Sequence, residues 1–392
     1  MKKTPILLAM MIIATGQVGV SIYLPALPSI SQSLNATQAD VQLLVTLFLL
    51  GFGASQLFYG PLSDAIGRRP VFIMGQGVYL IGTVICLTFS HHLHLLILGR
   101  LLQGLGAGSA SVLGRSVLRD SYEGAQLTKA LSYISITASI MPIVAPVLGG
   151  WIAFYLGWES VFVFVLLYLI AIFTLGYFVL PETMTYGKTR FNLVSVAANY
   201  ARLITNRQVL TSASYNWISY LASLVSLSVM PFILQHQLGL TAGEYGSVMI
   251  LPSAGLMMGS IGLNILNRYL STGQLLTLAI SVMTIAGIWL LVSQVTLFNL
   301  IGAFTLLTIA QGISFPLSIS MLLAPHKRQA GAVSALSGSI QMCMAGLFGG
   351  FLVEHWVQSQ TSMGVFYLLS AVAMGAVLIA SRKVPLVQQE FA

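Results

Sequence analysis

The sequence predicts an all-α membrane protein with twelve transmembrane helices in two pseudo-symmetric six-helix bundles. Of the 392 residues, 57% are hydrophobic and only 7% are charged, whereas about 25% are charged in an average globular protein. Apolar runs of about 20 residues, long enough to cross a bilayer as helices, recur along the whole chain. One long polar interval separates six runs from the other six, which indicates an internal repeat.

Each apolar run can cross about 30 Å of hydrocarbon as a helix. The first run follows two lysines and resembles a signal peptide, but no small-residue cleavage site follows it, so we expect it to remain as a helix. The twelve predicted spans are residues 6–27, 41–60, 71–89, 94–117, 127–154, 159–180, 209–234, 244–266, 274–293, 297–323, 329–353 and 362–381.

The polar interval between the sixth and seventh spans defines the predicted domains. Within it, Phe191, Val194 and Ala198 share one helical face, a pattern compatible with an amphipathic helix on the membrane surface or with a plain linker. The expected organisation is an N-terminal six-helix bundle over 1–182, a cytoplasmic linker over 183–208 and a C-terminal six-helix bundle over 209–392.

Lysine and arginine occur in only one set of alternate loops, and the opposite loops contain acids and histidines. Basic residues concentrate in cytoplasmic loops, so we expect both termini in the cytoplasm. The net charge of +8 follows from this topology. We therefore expect the lipid bilayer as a partner and no nucleic acid.

The chain lacks the motifs of common catalytic sites. It contains no GxxxxGK[ST] loop, no HExxH helix and no GxSxG turn, so we expect no enzyme. Two six-helix halves around a central site are the architecture of a secondary transporter. His91, His92 and His94 lack carboxylate or thiol partners, so we expect no metal and no cofactor. Cys86 and Cys343 lie in spans of different halves and are expected to be free thiols.

The segment "GPLSDAIGRRP" at 60–70 follows the second span. Gly60 would let two helices approach closely. Asp64 can face the positive N-terminal end of the eleventh helix. Arg68 can reach both Asp64 and Asp120. The alternative for these arginines is simple topology, which suffices for Arg69.

This segment resembles the GxLxDxxGRR loop of the major facilitator superfamily. "RLLQGLGA" (100–107) and "APVLGG" (145–150) resemble motifs of its drug:proton antiporters, and "YLPALP" (23–28) is similar to the Bcr/CflA and multidrug resistance protein D branch. The resemblance implies an inner-membrane exporter of amphipathic drug-like compounds that works by alternating access in exchange for protons. It also implies that Gly60, Asp64, Arg68 and Asp120, which we call the latch, hold the two halves together on the cytoplasmic side.

The fifth span contains a predicted hinge. Pro142 and Pro146 remove backbone donors and bend a helix, while Gly149 and Gly150 permit close packing. We expect this surface to meet the glycine pair of residues 253–260. The resemblance implies a hinge that limits leak, and ordinary tight packing is the alternative.

Arg100 lies inside the fourth span, on one helical stripe with Gln103. An intramembrane charge usually faces a cavity or a partner, but none of the nine acids is predicted at mid-membrane. Its partners would therefore be neutral groups such as Gln103 or Gln17, a backbone carbonyl, water or the substrate. The alternative is a purely structural interhelical donor.

The resemblance places the first, fourth, seventh and tenth helices around the cavity. Related exporters commonly carry an acid before "YLPALP", where this chain has Ser21. Polar stripes on the seventh and tenth spans would suit drug-like ligands, or equally serve interhelical hydrogen bonds. The candidate cavity residues are Gln17, Ser21, Arg100, Gln103, Asn216, Tyr220, Gln311 and Phe315.

An unneutralised Arg100 would favour neutral or anionic amphiphiles over permanent cations. Because Arg is not a proton carrier, Asp64, Asp120 or a loop carboxylate is the expected proton site, with the proton gradient as the energy source. We expect a monomer. The alternative function is a narrow-specificity exporter or facilitator for a sugar or organic anion, with Arg100 as its anchor.

Overall fold

The structure, a computed structural model, describes residues 4–122, 124–180, 182 and 192–382. Over these residues it is built of helices joined by short turns, and no strand is present among them. The helices are α1 Thr4–Ser21, α2 Leu27–Ser33, α3 Gln38–Ile66, α4 Arg68–Thr88, α5 Leu93–Ser121, α6 Gly124–Leu156, α7 Glu159–Val179, α8 Leu193–Ile204, α9 Arg207–Phe232, α10 Ala242–Val248, α11 Ile250–Leu266, α12 Thr272–Val292, α13 Leu297–Leu323, α14 Ala330–His355 and α15 Gln360–Arg382.

The predicted spans correspond to these helices. Within the described residues, eleven helical segments are long and apolar enough to cross a membrane. One of them joins α1 to α2 and another joins α10 to α11. The remaining predicted span coincides with α6, whose segment Val144–Leu156 is a shorter apolar helix. The predicted all-α membrane fold is therefore confirmed, while the cytoplasmic location of the termini stays a prediction.

Two acids of the predicted outer loops begin helices. Thr37 and Asp40 form a reciprocal capping box at the start of α3, and Thr241 and Glu244 form one at the start of α10. In each box the carboxylate accepts a hydrogen bond from the backbone N–H of the threonine, at 2.9 Å for Asp40 and 2.8 Å for Glu244. These carboxylates accept hydrogen bonds from backbone N–H groups at the helix N-termini, which explains why acids lie beside apolar helices.

Glycines bring α3 and α5 into close contact, because small residues let two helix backbones approach each other. A Cβ on Gly104 would overlap the carbonyl oxygen of Phe48, and one on Gly108 would overlap the hydroxyl of Ser55. Gly51 packs against the backbone of α5 in the same way. The backbones of α3 and α5 therefore touch directly.

The two halves of the chain meet along two helix pairs, α3 with α14 and α6 with α10. In the first pair, Gly53 lies against the carbonyl oxygen of Ser339. In the second, Gly150 lies against the carbonyl oxygen of Ala242, and Gly246 lies against that of Pro146. The contact between the halves thus depends on glycines on both sides.

The expectation that the fifth-span glycine surface meets the glycine pair of residues 253–260 is wrong. A Cβ on Gly255 would lie 2.8 Å from the carbonyl oxygen of Thr305, and one on Gly259 would overlap that of Ile309. Both glycines thus pack against α13, within the second half. The surface of α6 meets mainly α10, where Gly246 offers it a backbone without a side chain, and α11 to a smaller extent.

The linker contains a helix, α8. Its N-cap Asn192 accepts hydrogen bonds from the backbone N–H groups of Val194 and Ser195. These two donors of the first turn would otherwise have no partner within the helix. The hydroxyl of Tyr200 donates to the carbonyl oxygen of Leu57 in α3 at 3.3 Å. Burial of Tyr200, with a smaller contribution from the charge of Asp64, raises the pKa of this phenol to about 12, so it stays a neutral donor.

The predicted apolar face of the linker is only partly described. Val194 is 78% exposed, whereas Leu203 is buried in a cluster with Val209 and Trp217 of α9. Phe191 lies outside the described residues. The helix therefore packs on the protein through Leu203 and leaves Val194 uncovered, and the division of the chain into domains around it stays a prediction.

We call the end of the molecule where α3 ends and α4 begins the basic end. Arg68 reaches Asp120 there, and Arg115 of α5 reaches Ser334 in the first turns of α14. The linker helix also lies at this end, since Tyr200 contacts α3 near its last residues. The positive-inside rule predicts that this end is cytoplasmic.

Candidate functional site

Arg100 is enclosed within the first half, with 2% of its surface exposed. Its Nε donates to the carbonyl oxygen of Leu44 in α3 at 3.2 Å. Its Nη2 donates to the carbonyl oxygen of Gly19 in α1 at 3.0 Å, and its Nη1 donates to Oε1 of Gln103 at 2.6 Å. Three different groups thus hold the three nitrogens, and all three are neutral.

Two aromatic rings complete the surroundings of this cation. The Cζ atom of Arg100 lies 3.7 Å from the ring centroid of Tyr23 and 4.1 Å from that of Phe48. A desolvated cation–π contact contributes about 2 kcal/mol. No carboxylate of the described residues forms an ion pair with Arg100. Ring quadrupoles and carbonyl dipoles stabilise the charge in place of an acid.

Gln103 extends the Arg100 contacts to a fourth helix. Its Nε2 donates to Oγ1 of Thr83 in α4 at 2.8 Å, and that hydroxyl donates to the carbonyl oxygen of Tyr79. Arg100 and Gln103 therefore connect α1, α3, α4 and α5. The sequence left open whether Arg100 is satisfied by neutral groups, by the substrate or as a structural donor between helices. The geometry matches an interhelical donor with neutral acceptors, because Arg100 faces helices rather than open space.

The polar stripe on α9 is used mostly between helices of the second half. The hydroxyls of Ser219 and Ser314 hydrogen-bond each other at 3.1 Å, and Ser318 donates to the carbonyl oxygen of Ser212 at 2.6 Å. These bonds tie α9 to α13. The alternative of interhelical hydrogen bonding thus describes the serines well.

Asn216 behaves differently from the serines. Its Nδ2 donates to Oε1 of Gln341 in α14 at 2.7 Å, and its Oδ1 is buried without a hydrogen-bond partner among the described residues. Gln341 was missed from the sequence, although a glutamine inside an apolar span is a visible signal. This amide pair leaves one acceptor unused.

Tyr220 lies where the halves meet. Its hydroxyl donates to Sδ of Met342 in α14 at 3.5 Å. The same apolar cluster includes Phe48 and Phe52 of the first half and Leu224 and Met342 of the second. Tyr220 is half-buried against it. Aromatic and thioether side chains with a few polar groups are typical of sites for drug-sized ligands.

The remaining cavity candidates are more dispersed. Gln17 in α1 and Phe315 in α13 are half-buried, whereas Ser21 and Gln311 are buried. None of these four contacts Arg100 through a hydrogen bond among the described residues. Tyr220 and Asn216 of α9 therefore contact α14, whereas Arg100 and Gln103 lie inside the first half.

Arg68 brings the charged residues of the latch together. Its Nε donates to Oδ2 of Asp120 at 2.9 Å, and its Nη1 donates to both Asp64 and Ser63. The guanidinium thus joins the end of α3 to the end of α5 within the first half. Closure of the two halves by this cluster stays a prediction.

The latch prediction for Gly60 is wrong in one respect. The nearest heavy atom to a Cβ built on Gly60 is Cγ1 of Val112 at 3.8 Å, which is ordinary contact distance. Gly60 lines a cavity between α3, α5 and α14. No close approach of two helices occurs there, because this cavity separates them.

Glu182 caps α4, a role that the sequence analysis missed. Its two carboxylate oxygens accept hydrogen bonds from the backbone N–H groups of Arg68 at 2.9 Å and Arg69 at 3.3 Å. A carboxylate at a helix N-terminus is stabilised by the helix dipole. The preceding Gly67 has φ +112° and leaves room for Glu182. The sequence signal for this cap was that α4 begins after Gly67, which has no side chain to cap the helix.

The hinge residues lie on α6 beside the end of α1. A Cβ on Gly149 would overlap the carbonyl oxygen of Ile22, while Gly150 faces α10. Pro146 is buried in this contact. Pro142 is within α6, but its side chain lies outside those described. The geometry is one of tight packing between α6 and both halves.

Metal ligands are not assembled in the part of the chain that the structure describes. It contains no group of three His, Cys, Asp or Glu side chains that can hold a metal ion. Cys86 and Cys343 are free thiols, as predicted.

Comparison with known proteins identifies relatives over nearly the whole chain. A family model described as Major Facilitator Superfamily matches residues 7–350. The multidrug resistance protein MdtL of Escherichia coli O127:H6 (strain E2348/69 / EPEC) is 31% identical over 374 residues, which cover 92% of this chain and 90% of that protein. MdtL of Shigella dysenteriae serotype 1 (strain Sd197) is 30% identical with the same coverage.

Two solved structures share the fold. A bacterial homolog to the human lysosomal transporter Spinster has a TM-score of 0.73 at 14% identity, covering 99% of this chain and 98% of that one. The POT family transporter PepTSo has a TM-score of 0.71 at 13% identity, covering 98% and 99%. At these identities the likeness concerns the fold alone.

Proposed function

The chain belongs to the major facilitator superfamily, and from that membership we propose that it exports amphipathic, drug-like compounds across the bacterial inner membrane. The observation that carries the proposal is the 30–31% identity to proteins named multidrug resistance protein MdtL over 92% of this chain. The transport would use alternating access in exchange for protons. The chain would act as a carrier, without a cofactor.

Contacts between the halves at both ends support alternating access. Away from the basic end, Nε2 of Gln235 donates to the carbonyl oxygen of Pro25 at 2.8 Å, and the amide of Gln32 donates to the ring of His236 at 3.3 Å. At the basic end, Nη1 of Arg115 donates to Oγ of Ser334 at 2.9 Å. Opening either end requires one of these sets to break while the other holds.

The substrate would bind between the halves, near Tyr220. The half-buried phenol, the thioether of Met342 and the unused acceptor of Asn216 offer apolar contact with a few orienting groups. Arg100 would act on the substrate only through its field, since it is enclosed. An unneutralised cation in the first half favours neutral or anionic compounds over permanent cations.

The proton site would be the carboxylate pair around Arg68. Asp64 is about half exposed, with 52% of its side chain accessible, and Asp120 is 18% accessible. Protonation of either acid removes its charge and weakens its bond to Arg68, which would loosen the latch. Proton binding would then occur at the basic end, next to the contact between α5 and α14.

The alternative of a narrow-specificity carrier with Arg100 as anchor gains no support. A substrate anion would have to displace the carbonyl oxygens of Gly19 and Leu44, and both backbone groups would then be buried without a donor. The proposal also includes that the basic end faces the cytoplasm and that the transporter is a monomer.

Growth and efflux in a bacterial strain without its own major exporters test the function. Expression should raise the inhibitory concentration of several structurally unrelated neutral amphiphiles, and an uncoupler of the proton gradient should abolish their efflux. The empty vector and a permanently cationic dye are the controls. If the protein reaches the membrane in full amount and no compound is extruded, the proposal fails.

A further inference from the structure

A cavity of about 170 Å³ lies at the basic end, between α3 and α5 of the first half and α14 of the second. It is smaller than the ~300 Å³ at which sites for drug-sized ligands begin, so its size suits a small ligand. Arg68, Arg115 and Arg119 line it, together with the acid Asp64 and Tyr200 of the linker helix. The linker helix thus borders a space that belongs to both halves.

Two of the three arginines lack a counter-charge. Arg68 is paired with acids, but Arg115 donates to the neutral hydroxyl of Ser334. Arg119 forms no hydrogen bond or ion pair with any residue that the structure describes. Arg115 and Arg119 are four residues apart on α5 and point in the same direction. Arg115 and Arg119 are exposed, and an anion between them would remove the repulsion of two like charges at this spacing.

The opposite wall of the cavity adds donors. Residues Gly331, Ala332 and Ser334 of the first turns of α14 line it, and the preceding Gln329 gives no side-chain cap. Because Gly331 has no side chain, the guanidinium of Arg119 lies close to it, so that a Cβ there would be 3.3 Å from Nη1. The positive end of α14 therefore faces two cations, and Asp64, the acid among the residues that line the cavity, is already bonded to Arg68.

We propose that this cavity binds a phosphate-bearing anion, either the headgroup of an anionic phospholipid or a soluble phosphate, which bridges α5 to α14. Guanidinium groups bind phosphate with two parallel hydrogen bonds. Basic pockets between membrane helices near the cytoplasmic surface are suited to lipid headgroups. Because the ligand would join the first half to the second, its binding stabilises the arrangement in which the basic end is closed.

Two binding measurements on the purified full-length protein distinguish the sources. In detergent, radiolabelled inorganic phosphate is titrated at equilibrium. In lipid nanodiscs released into a mass spectrometer, retained phosphatidylglycerol is compared with retained phosphatidylcholine. Saturable phosphate binding indicates a soluble anion, and selective retention of phosphatidylglycerol indicates a headgroup. Either result supports the proposal, and the absence of both overturns it.

Three variants locate the site. Arg119→Gln should weaken binding of the positive probe about tenfold, and the double variant Arg115→Gln with Arg119→Gln should weaken it further. Arg202→Gln, at an exposed arginine of α8 that does not line the cavity, should leave it unchanged. Equal binding by the double variant, or an equal loss in Arg202→Gln, would overturn the assignment.

A stability readout checks that the variants are folded. Arg119 has no hydrogen-bond partner among the described residues, so Arg119→Gln should unfold at the same temperature as the unmodified chain without ligand. The positive probe should raise the unfolding temperature of the unmodified chain and not that of the variant. An equal rise in both proteins would contradict an anion held by Arg119.

Discussion

The guanidinium of Arg100 is held by two backbone carbonyls, one amide and two aromatic rings inside a bundle of membrane helices. An intramembrane charge costs several kcal/mol when isolated, and here dipoles on every side offset that cost. Because α1 and α3 contribute the carbonyls, the side chain also fixes the distance between these helices and α5. We infer that Arg100 holds the first half in one shape.

Replacing Arg100 should therefore destabilise the fold. Arg100→Ala leaves the carbonyl oxygens of Gly19 and Leu44 without a donor, and hydrogen bonds to charged groups contribute ~1.5–3 kcal/mol each, so we expect a loss of about 3 kcal/mol or more. Arg100→Lys keeps the charge but cannot donate in three fixed directions, and should lose less. Thermal unfolding in detergent, followed by a thiol-reactive fluorophore that reports exposure of buried Cys86, measures both.

Arg202→Ala is the matched control, because this arginine is exposed on α8 and should not shift the unfolding temperature. An Arg100→Ala protein with unchanged stability but lost transport would show that Arg100 acts on the substrate or the proton instead.

Partners near in sequence were predictable, and distant ones were not. Gln103 lies three residues from Arg100, and helical spacing places both on one stripe. The ring of Tyr23 comes from the turn after α1 and that of Phe48 from α3, so their contact with Arg100 depends on how these elements pack against α5. The same limit applies to Glu182, which is 114 residues from the helix start it caps.

At the scale of helices, glycines decide where backbones touch. Gly104 lies against the carbonyl oxygen of Phe48, while Gly60 faces a cavity. Both occur in the quoted motifs "GPLSDAIGRRP" and "RLLQGLGA", and a helical glycine suggests close approach of two helices in each. The surroundings of each glycine separate the two, because the backbone of α3 lies against Gly104, whereas the nearest atom to a Cβ on Gly60 is Cγ1 of Val112 at 3.8 Å.

Alanine substitutions should separate these two glycines. Gly60→Ala adds a methyl group at ordinary contact distance from Val112, and removing a helical glycine contributes ~0.5–1 kcal/mol of stability, so the variant should be at least as stable as the unmodified chain. Gly104→Ala forces α3 away from α5 and should cost ~1–3 kcal/mol. Unfolding temperatures of the two purified variants test this.

A destabilised Gly60→Ala protein would mean that the cavity beside Val112 closes in solution. A Gly104→Ala protein of unchanged stability would contradict direct backbone contact between α3 and α5.

Helix existence was predictable from hydropathy, and helix length was not. α3 has 29 residues, whereas the apolar run that predicted it covers 41–60. A helix of this length is about 44 Å long and extends beyond the hydrocarbon into the polar region, where apolar character no longer marks its ends. The capping box of Thr37 and Asp40 marks the true start.

For the whole molecule, the two halves contact each other at both ends of the interface. Gln235 reaches Pro25 at one end, and Arg115 reaches Ser334 at the other. Hydropathy predicts the number of spans because each span has its own signal. It does not predict that α3 pairs with α14 and α6 with α10, since those contacts depend on glycines in separate helices, among them Gly53, Gly150 and Gly246.

The basic end should face the cytoplasm. Fusion of green fluorescent protein to the C-terminus should give fluorescent cells, and fusion of alkaline phosphatase at the same position should give an inactive phosphatase, because this enzyme needs the oxidising periplasm. Fusions in the turn between α3 and α2 should give the opposite pair of results. Active phosphatase at the C-terminus would contradict the topology.

Proton movement coupled to substrate transport tests the central claim most directly. The purified protein in proteoliposomes with an imposed pH gradient would receive a neutral amphiphile or a permanently cationic one, while a pH-sensitive dye reports proton flux. We predict proton release with the neutral compound, a smaller response to the cation, and loss of the response in Asp64→Asn with Asp120→Asn. Transport of the neutral compound without any proton movement would contradict the account.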